Sequence, residues 1–170
     1  MQKNKKVSSQ VELERWWIAN IADLPFDLKK IPNSKIEQAY ISYSPIVRVR
    51  SVNKKKFIFC VKTKASQQEK GCQETEIIIK SNAFKALVKH SVGNVISKTR
   101  YEYPYRFKNK TYKVEIDHFS NTQKVIKTNE VKIEVEFSSL KTYNEFIAPS
   151  WFGKEVTGIK KFSNSSMSKI

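Results

Sequence analysis

The chain has 170 residues, with 32 lysines and arginines against 16 aspartates and glutamates, and its formal charge is +16. A hydrophobic content of 39% with 12% aromatic residues excludes a disordered chain, and four glycines exclude a collagen-like one. No apolar run approaches the ~20 residues of a membrane-spanning helix, and two cysteines cannot form a disulfide framework. We therefore expect a cytoplasmic protein without membrane contact, whose charge attracts polyanions such as nucleic acid or phosphate-rich small molecules.

Alternation of polar and apolar residues predicts about eight strands and two helices. The strands are expected at residues 11–18, 35–42, 47–50, 56–64, 72–80, 98–105, 112–119 and 131–137. One helix is expected over 81–90, capped by Ser81, and a second one after Ser138 and Ser139, ended by Pro149. Residues 151–170 are expected to be mostly irregular. We predict a single domain over 11–166, a flexible basic tail at 1–10 and a short tail at 167–170.

Many charged residues lie in pairs two positions apart, so that both side chains of a pair leave the same face of a strand. The acidic pairs are Glu12/Glu14, Glu74/Glu76, Glu115/Asp117 and Glu134/Glu136, and the basic pairs are Arg48/Arg50, Lys62/Lys64 and Lys98/Arg100. Like charges about 7 Å apart repel by about 2 kcal/mol at an effective dielectric constant of about 20. Each acidic pair therefore needs a nearby cation, either a metal ion or Lys and Arg side chains.

The separation of acidic and basic pairs onto different strands favours a closed barrel. The polar face of an open antiparallel sheet usually mixes Thr, Ser, Lys and Glu without order. A barrel would enclose the sorted charges in a polar lumen, and helices would cover its apolar outer face. We predict an α+β fold, namely an eight-stranded antiparallel β-barrel that forms a tunnel, with helices packed on the outside. The alternative is an open sheet with one face in water.

A set of short motifs runs through nearly the whole chain in a characteristic order. The segments are Glu12-x-Glu14, Lys35-Ile36-Glu37-Gln38-Ala39-Tyr40, Val47-Arg48-Val49-Arg50, Lys62, Glu74-x-Glu76, Lys98-Thr99-Arg100-Tyr101, Glu115-Ile116-Asp117, Glu134-Val135-Glu136-Phe137, 151–158 and Ser163-Asn164. This ordered set resembles the CYTH superfamily, the triphosphate tunnel metalloenzymes. A single Glu-x-Glu motif is weak evidence, whereas the ordered set over one domain is specific.

The resemblance implies hydrolysis of inorganic tripolyphosphate or a related organic triphosphate, with Mg²⁺ or Mn²⁺ as cofactor. It assigns phosphate binding to Lys35, Arg48, Arg50, Lys62, Lys98 and Arg100. It assigns metal binding to Glu12, Glu14, Glu74, Glu76, Glu115, Asp117, Glu134 and Glu136, and catalysis to Glu12, Glu14, Lys62 and Arg100. Such a site acts mainly by positioning the phosphates and neutralising their charge.

Two positions depart from the family pattern. Trp16 replaces the lysine of the family's Glu-x-Glu-x-Lys motif, and Cys72 replaces an arginine that many members have. Strand alternation places Trp16 on the face of Glu12 and Glu14, where it either forms a plug beside Trp17 or stacks on a nucleotide base. Both changes remove positive charge from the tunnel, so we expect reduced activity.

Other functions stay open at this point. The same tunnel could bind a nucleotide or polyphosphate without cleaving it, or act as an adenylate cyclase, which is another activity of the family. Exterior lysines could bind RNA, although no RRM, KH or zinc motif is present and we expect no specific nucleic acid. The expected partner is a small-molecule triphosphate or nucleotide, and monomer and homodimer are both open.

Overall fold

Ten antiparallel strands form one sheet in the computed structural model, which describes residues 7–64, 72–122 and 124–169. The strands are β1 Val7–Glu12, β2 Glu14–Asn20, β3 Asn33–Tyr43, β4 Ile46–Val52, β5 Lys56–Lys64, β6 Cys72–Ile79, β7 Ile96–Phe107, β8 Lys110–Phe119, β9 Glu130–Glu136 and β10 Lys154–Glu155. The helices are α1 Ser81–Val88, α2 Leu140–Glu145 and α3 Asn164–Met167, with 3₁₀ turns at Ile21–Asp23, Leu28–Lys30, Ser150–Phe152 and Lys160–Phe162. The predicted α+β class with antiparallel strands is confirmed.

The two ends of the sheet meet because one bent stretch of chain contributes to both. The strand order is β1-β6-β5-β4-β3-β7-β8-β9-β2-β10. β1 pairs with β6, β2 pairs with β9, and Leu13 alone separates β1 from β2. The prediction of one strand over 11–18 is therefore wrong, and so is the closed eight-stranded barrel. Within the described ranges the sheet is a curled one of ten strands, whose ends are joined through Leu13 without a ladder between them.

The apolar face of the sheet points outward and carries the core. Val114 and Ile133, both fully buried, pack with Trp17 and with aromatic side chains that follow α2. The Trp17 ring meets Phe152 edge-on, with ring centroids 4.9 Å apart. On the other side of the molecule, α1 packs Phe84 against the outer face of the sheet. The predicted packing of the helices outside the sheet is confirmed.

The helix caps agree only in part with the sequence. Ser139 caps α2, since its hydroxyl accepts a hydrogen bond from Thr142 N. Lys80, not Ser81, is the N-cap of α1 and makes no side-chain cap bond. No helix of the described residues is long and apolar enough to cross a membrane.

Both predicted tails contain ordered structure. β1 begins at Val7, inside the predicted tail of 1–10, of which residues 1–6 lie outside the described residues. Met167 and Ser168 are buried, and Ser168 O accepts a hydrogen bond from Asn94 N at 2.6 Å. The segment predicted as irregular also forms β10, which pairs with β2. These contacts are long-range, so local sequence patterns do not reveal them.

Gly153 is required where the chain enters β10. Its φ is +72°, and a Cβ at this position would lie 2.4 Å from the Ile18 carbonyl oxygen. Gly158 has a similar φ of +75°, but its Cβ would meet no atom within 4 Å. A residue with a side chain pays about 1–3 kcal/mol of folding free energy to adopt this left-handed backbone conformation at either position. We expect Gly153→Ala to lower the free energy of unfolding in urea clearly more than Gly158→Ala, and equal losses would contradict the close contact with β2.

Candidate functional site

The curled sheet encloses a polar cavity of about 360 Å³. Side chains from all of β1 to β9 line it, together with Ser163, Asn164 and Ser165. The acidic side chains of the lining are Glu12, Glu14, Glu74, Glu76, Glu115, Glu134 and Glu136, and the basic ones are Arg48, Arg50, Lys62, Arg100, Lys113 and Lys132. The predicted convergence of acidic and basic strands on one enclosed space is confirmed.

Arg100 of β7 joins carboxylates of β8 and β9. Its Nε and Nη2 donate to Asp117 at 2.7 and 2.6 Å, Nη2 also donates to Glu134 at 2.6 Å, and Nη1 pairs with Glu115. Burial acts to raise the pKa of Asp117, but the charges of Arg100 and Lys98 outweigh it and hold that pKa below its usual range. The guanidinium thus fixes the inner faces of three strands.

Three of the predicted site residues do not line the cavity. Lys98 and Asp117 are fully buried and form an ion pair with each other, and burial together with repulsion by Arg100 lowers the pKa of Lys98 to about 7. Lys35 is exposed, and its Nζ donates to Thr99 Oγ1 at 2.8 Å. Tyr40, at the opposite parity of β3, faces the cavity instead. Lys35, Lys98 and Asp117 therefore lie outside the cavity lining, and their roles in binding phosphate and metal stay predictions.

Glu74 is the centre of the opposite wall. Its Oε1 accepts from Arg48 at 2.6 Å and from the Cys60 thiol at 2.7 Å, and Lys62 Nζ lies 3.0 Å from its Oε2. Lys62 also pairs with Glu12. Burial acts to raise the pKa of Glu74, but contacts with Glu12, Arg48 and Lys62 lower it overall. Glu74 is therefore an ionised carboxylate that arranges the basic side chains.

Cys60, Glu74 and Glu76 place potential metal-ligand atoms within 4.8 Å of one another, as no other such group of the described residues does. Burial raises the pKa of Cys60 to about 12, so the thiol stays protonated and donates a hydrogen bond to Glu74. A metal-binding cysteine must be deprotonated. Without a metal, this group forms a hydrogen-bonded network in which the Cys60 thiol donates to Glu74.

Three charged side chains of the cavity form no ion pair with any described residue, namely Glu14, Glu136 and Arg50. Glu14 lies opposite Glu136 in the β2–β9 ladder, and burial and the charge of Glu134 raise the pKa of Glu14. Arg50 Nε donates to Gln38 at 3.1 Å. The cavity thus contains a carboxylate pair and a guanidinium that form no ion pair with a described residue.

Burial lowers the pKa of Arg50 to about 10, with repulsion from Arg48 and Arg100 adding to the effect. At neutral pH the guanidinium therefore stays charged, although its charge is disfavoured. An anion bound beside Arg50 would relieve both the burial and the repulsion.

Lys132 is a buried cation of the cavity that the sequence motifs do not select. Its Nζ donates to Glu134 Oε1 at 2.6 Å and lies 4.0 Å from the centroid of the Trp16 ring. The signal that identifies it is strand alternation, which places it on the face of Glu134 and Glu136. Trp16 lines the cavity, whereas Trp17 is buried in the core.

The stability of the metal-free protein should fall as the pH rises, because of Glu12. Burial, reinforced by Glu74, raises the pKa of Glu12 from 4.5 to about 8 despite the attraction of Lys62. Between about pH 5 and pH 8 the folded protein therefore holds a proton that the unfolded chain has lost, and the free energy of unfolding decreases. Urea unfolding at pH 5, 6, 7 and 8 should show this decrease, and Glu12→Gln should make it shallower. An unchanged slope would mean that Glu12 is ionised throughout.

Comparison with known proteins finds similarity in three dimensions. No protein-family model and no curated protein matches the sequence. A solved structure of the inorganic triphosphatase NE1496 is 26% identical, over 92% of this chain and 97% of that one, with a TM-score of 0.62. PH1012 of Pyrococcus horikoshii OT3 is 19% identical, over 79% and 84% of the two chains, with a TM-score of 0.54.

A third similar structure is HpAC1 of Hippeastrum, an adenylyl cyclase candidate described as having a dominant triphosphatase activity. It is 12% identical over 78% of this chain and 83% of that one, with a TM-score of 0.50. At their level of identity, PH1012 and HpAC1 show the fold alone. The NE1496 likeness spans almost both whole chains and agrees with the ordered motifs, whose acidic and basic residues meet in one cavity. The ordered motifs and the likeness to NE1496 together support membership of the CYTH superfamily.

Proposed function

We propose that the protein is a metal-dependent triphosphatase that hydrolyses inorganic tripolyphosphate or a related organic triphosphate in the cavity. The observation that carries the proposal is that one cavity is lined both by a guanidinium, Arg50, and by a carboxylate pair, Glu14 and Glu136, that form no ion pair with a described residue. A bound phosphate chain and its divalent cation would satisfy both. The likeness to the inorganic triphosphatase NE1496 supports the same class of substrate.

The phosphate side of the site is built on β4, β5 and β7. Arg48 and Arg50 point into the cavity from one face of β4, and Lys62 joins them from β5. Guanidinium groups form paired hydrogen bonds with phosphate oxygens, whereas a lysine acts as a point charge. Burial acts to lower the pKa of Lys62, but Glu12, Glu14 and Glu74 raise it overall, so its ammonium stays charged at neutral pH.

The metal side of the site is the pair Glu14 and Glu136, with Glu134 beside it. Carboxylate oxygens are the donors that Mg²⁺ and Mn²⁺ prefer, and directly opposite residues of a ladder have Cβ atoms about 4.5–5.5 Å apart. Burial, together with the charge of Glu134, raises the pKa of Glu14, and a bound cation would favour its ionised form. These carboxylates are donors of the type that a hard divalent cation takes, and such a cation would supply charge neutralisation and water activation when bound.

The chain's own contribution is preorganisation. Glu74 holds Arg48 and Lys62, while Glu115 and Asp117 hold Arg100, so these cations are fixed before a substrate enters. Fixed charges in an enclosed site stabilise developing negative charge without reorganising during the reaction. The cavity of about 360 Å³ is at the small end of ligand pockets, which span about 300–1,000 Å³, and favours a compact phosphate chain.

The test is a substrate panel with phosphate detection. Inorganic tripolyphosphate, ATP and pyrophosphate are each supplied with Mg²⁺ or Mn²⁺ between pH 6 and pH 10, and we expect metal-dependent phosphate release from a triphosphate. Glu14→Gln should abolish it, whereas Glu37→Gln, on the exposed outer side of β3, should leave it unchanged. Absence of release from any triphosphate under all these conditions would contradict the proposal.

A non-catalytic binder is the second candidate, favoured by Trp16 at the position where the resemblance places a lysine. The same panel separates the two functions when binding is measured by titration calorimetry. Tight binding of tripolyphosphate without phosphate release by the metal-loaded protein would establish the binder, and release would exclude it.

A further inference from the structure

We propose that Lys132, held against the indole of Trp16, is a substrate-binding cation of the cavity, and that Trp16 is the residue that positions it. The inference rests on the proposed triphosphatase function and adds a residue that no CYTH-like motif of the sequence contains. It also predicts that the site prefers an inorganic phosphate chain to a nucleoside triphosphate.

The first support is the position of the ammonium. Lys132 is only 1% exposed, yet it belongs to the lining of the cavity. Its Nζ lies between Glu134 Oε1, at 2.6 Å, and the face of Trp16, at 4.0 Å from the ring centroid. Both contacts favour a cation, and the indole is the best aromatic partner for one.

The second support is the ladder between β2 and β9. Trp16 lies opposite Glu134, and Lys132 lies opposite Ile18, one inward-facing position further along. The lysine side chain therefore reaches diagonally across the ladder and brings its charge to the inner side of position 16. The resemblance to the CYTH motif places a lysine at position 16, where this chain has Trp16. In the structure, Lys132 of the neighbouring strand β9 supplies a positive charge at that place.

The third support is the number of groups that share Glu134. Its Oε1 accepts from Lys132 and its Oε2 accepts from Arg100. Arg100 has two further carboxylates, Glu115 and Asp117, whereas Glu134 is the carboxylate partner of Lys132 among the described residues. When Glu134 takes part in metal binding, Lys132 needs a new anion, and a phosphate oxygen in the cavity supplies it.

The same contact bears on the class of substrate. A base can stack on Trp16 only on a free face of the ring, and Lys132 covers one face at 4.0 Å. Trp16 Nε1 is buried, so the ring is enclosed along this edge as well. Trp16 is therefore better suited to hold a lysine than to stack on a nucleotide.

The experiment measures kcat and KM for tripolyphosphate with Mg²⁺, and the affinity of the metal-free protein for tripolyphosphate by calorimetry. We expect Lys132→Met to lower kcat/KM and the affinity at least tenfold, and Lys132→Arg to retain most of both. Trp16→Leu should raise KM more than it lowers kcat, whereas Trp16→Phe should keep the aromatic face and most of the affinity. The double variant Trp16→Lys/Lys132→Met should recover affinity relative to Lys132→Met, because the charge returns to the same place.

A matched control is Lys110→Met, since Lys110 Nζ lies 5.0 Å from the centroid of the Tyr112 ring outside the cavity lining. This variant should leave both readouts unchanged. If wild type is active and a folded Lys132→Met retains full affinity, the inference is wrong while the proposed function stands. If wild type neither binds nor cleaves tripolyphosphate, the function itself is wrong. If Lys132→Met does not fold, Trp16→Leu against Trp16→Phe decides, and equal affinities of these two would overturn the inference.

Discussion

Arg100→Met is expected to lower the free energy of unfolding by about 3–5 kcal/mol, the range found when one partner of a buried ion pair is removed. Arg100 is 9% exposed and contacts three carboxylates, those of Glu115, Asp117 and Glu134. Methionine fills much of the same volume but leaves these carboxylates without their shared cation. The loss therefore comes from uncompensated buried charge and not from a cavity.

The pH dependence of this loss follows from the signs of the pKa shifts. In wild type the pKa values of Asp117 and Glu134 are lowered, so their stabilisation is present at neutral pH and is lost as the pH falls below about 4. Without Arg100 these carboxylates take up protons more readily. The difference between wild type and Arg100→Met should therefore be larger at pH 7 than at pH 4.

Urea unfolding at both pH values provides the measurement, and Arg106→Met provides the control. Arg106 is on the same strand but exposed, and such substitutions usually change stability by less than about 0.5 kcal/mol. A loss below about 1 kcal/mol for Arg100→Met, or one equal at both pH values, would contradict the structural role of this residue. Arg100 would then be free for the phosphate contact that the sequence motifs imply.

The sequence predicts which face of a strand each charged residue occupies. Once a strand is recognised, alternation decides the face, and Glu12, Arg48 and Glu134 do line one cavity. Alternation also predicts the outer core, because Val114 and Ile133 occupy the opposite parity of β8 and β9. These features depend only on the alternation of side chains along one strand, which can be read directly from the sequence.

The sequence does not predict how deeply a side chain is buried or which strands pair with each other. Glu115 and Asp117 share a face, but only Glu115 lines the cavity, because Asp117 is buried against Lys98 and Arg100. The break at Leu13 follows from pairing with two distant strands. Such facts depend on the register between strands, which residue spacing within one strand does not contain.

The residues of the acidic pairs fall into two groups, those that pair with a Lys or Arg side chain and those that do not. Lys and Arg side chains pair with Glu12, Glu74, Glu115, Asp117 and Glu134. Glu14 and Glu136 face each other without such a partner among the described residues. The chain therefore uses its own cations to hold most, but not all, of these acids.

Arg50→Met should have the opposite profile to Arg100→Met, with a large effect on phosphate binding and a small one on folding. Arg50 donates to Gln38 but forms no ion pair with a described residue, and burial and neighbouring arginines disfavour its charge. Its removal should lower the free energy of unfolding less than Arg100→Met does, because it breaks one hydrogen bond to Gln38 and no ion pair with a described residue. A hydrogen bond to a charged group contributes about 1.5–3 kcal/mol, so the affinity for tripolyphosphate should fall about 10- to 150-fold.

Calorimetry with the metal-free protein measures this affinity without relying on turnover, and Arg106→Met again serves as the control for a lost surface charge. If Arg50→Met binds tripolyphosphate as wild type does, the unpaired guanidinium is not the anion site. If it instead unfolds as readily as Arg100→Met, Arg50 supports the sheet despite having no carboxylate partner. Because one arginine is paired with acids and the other is not, the two variants together separate the part of the charge that builds the cavity from the part that binds in it.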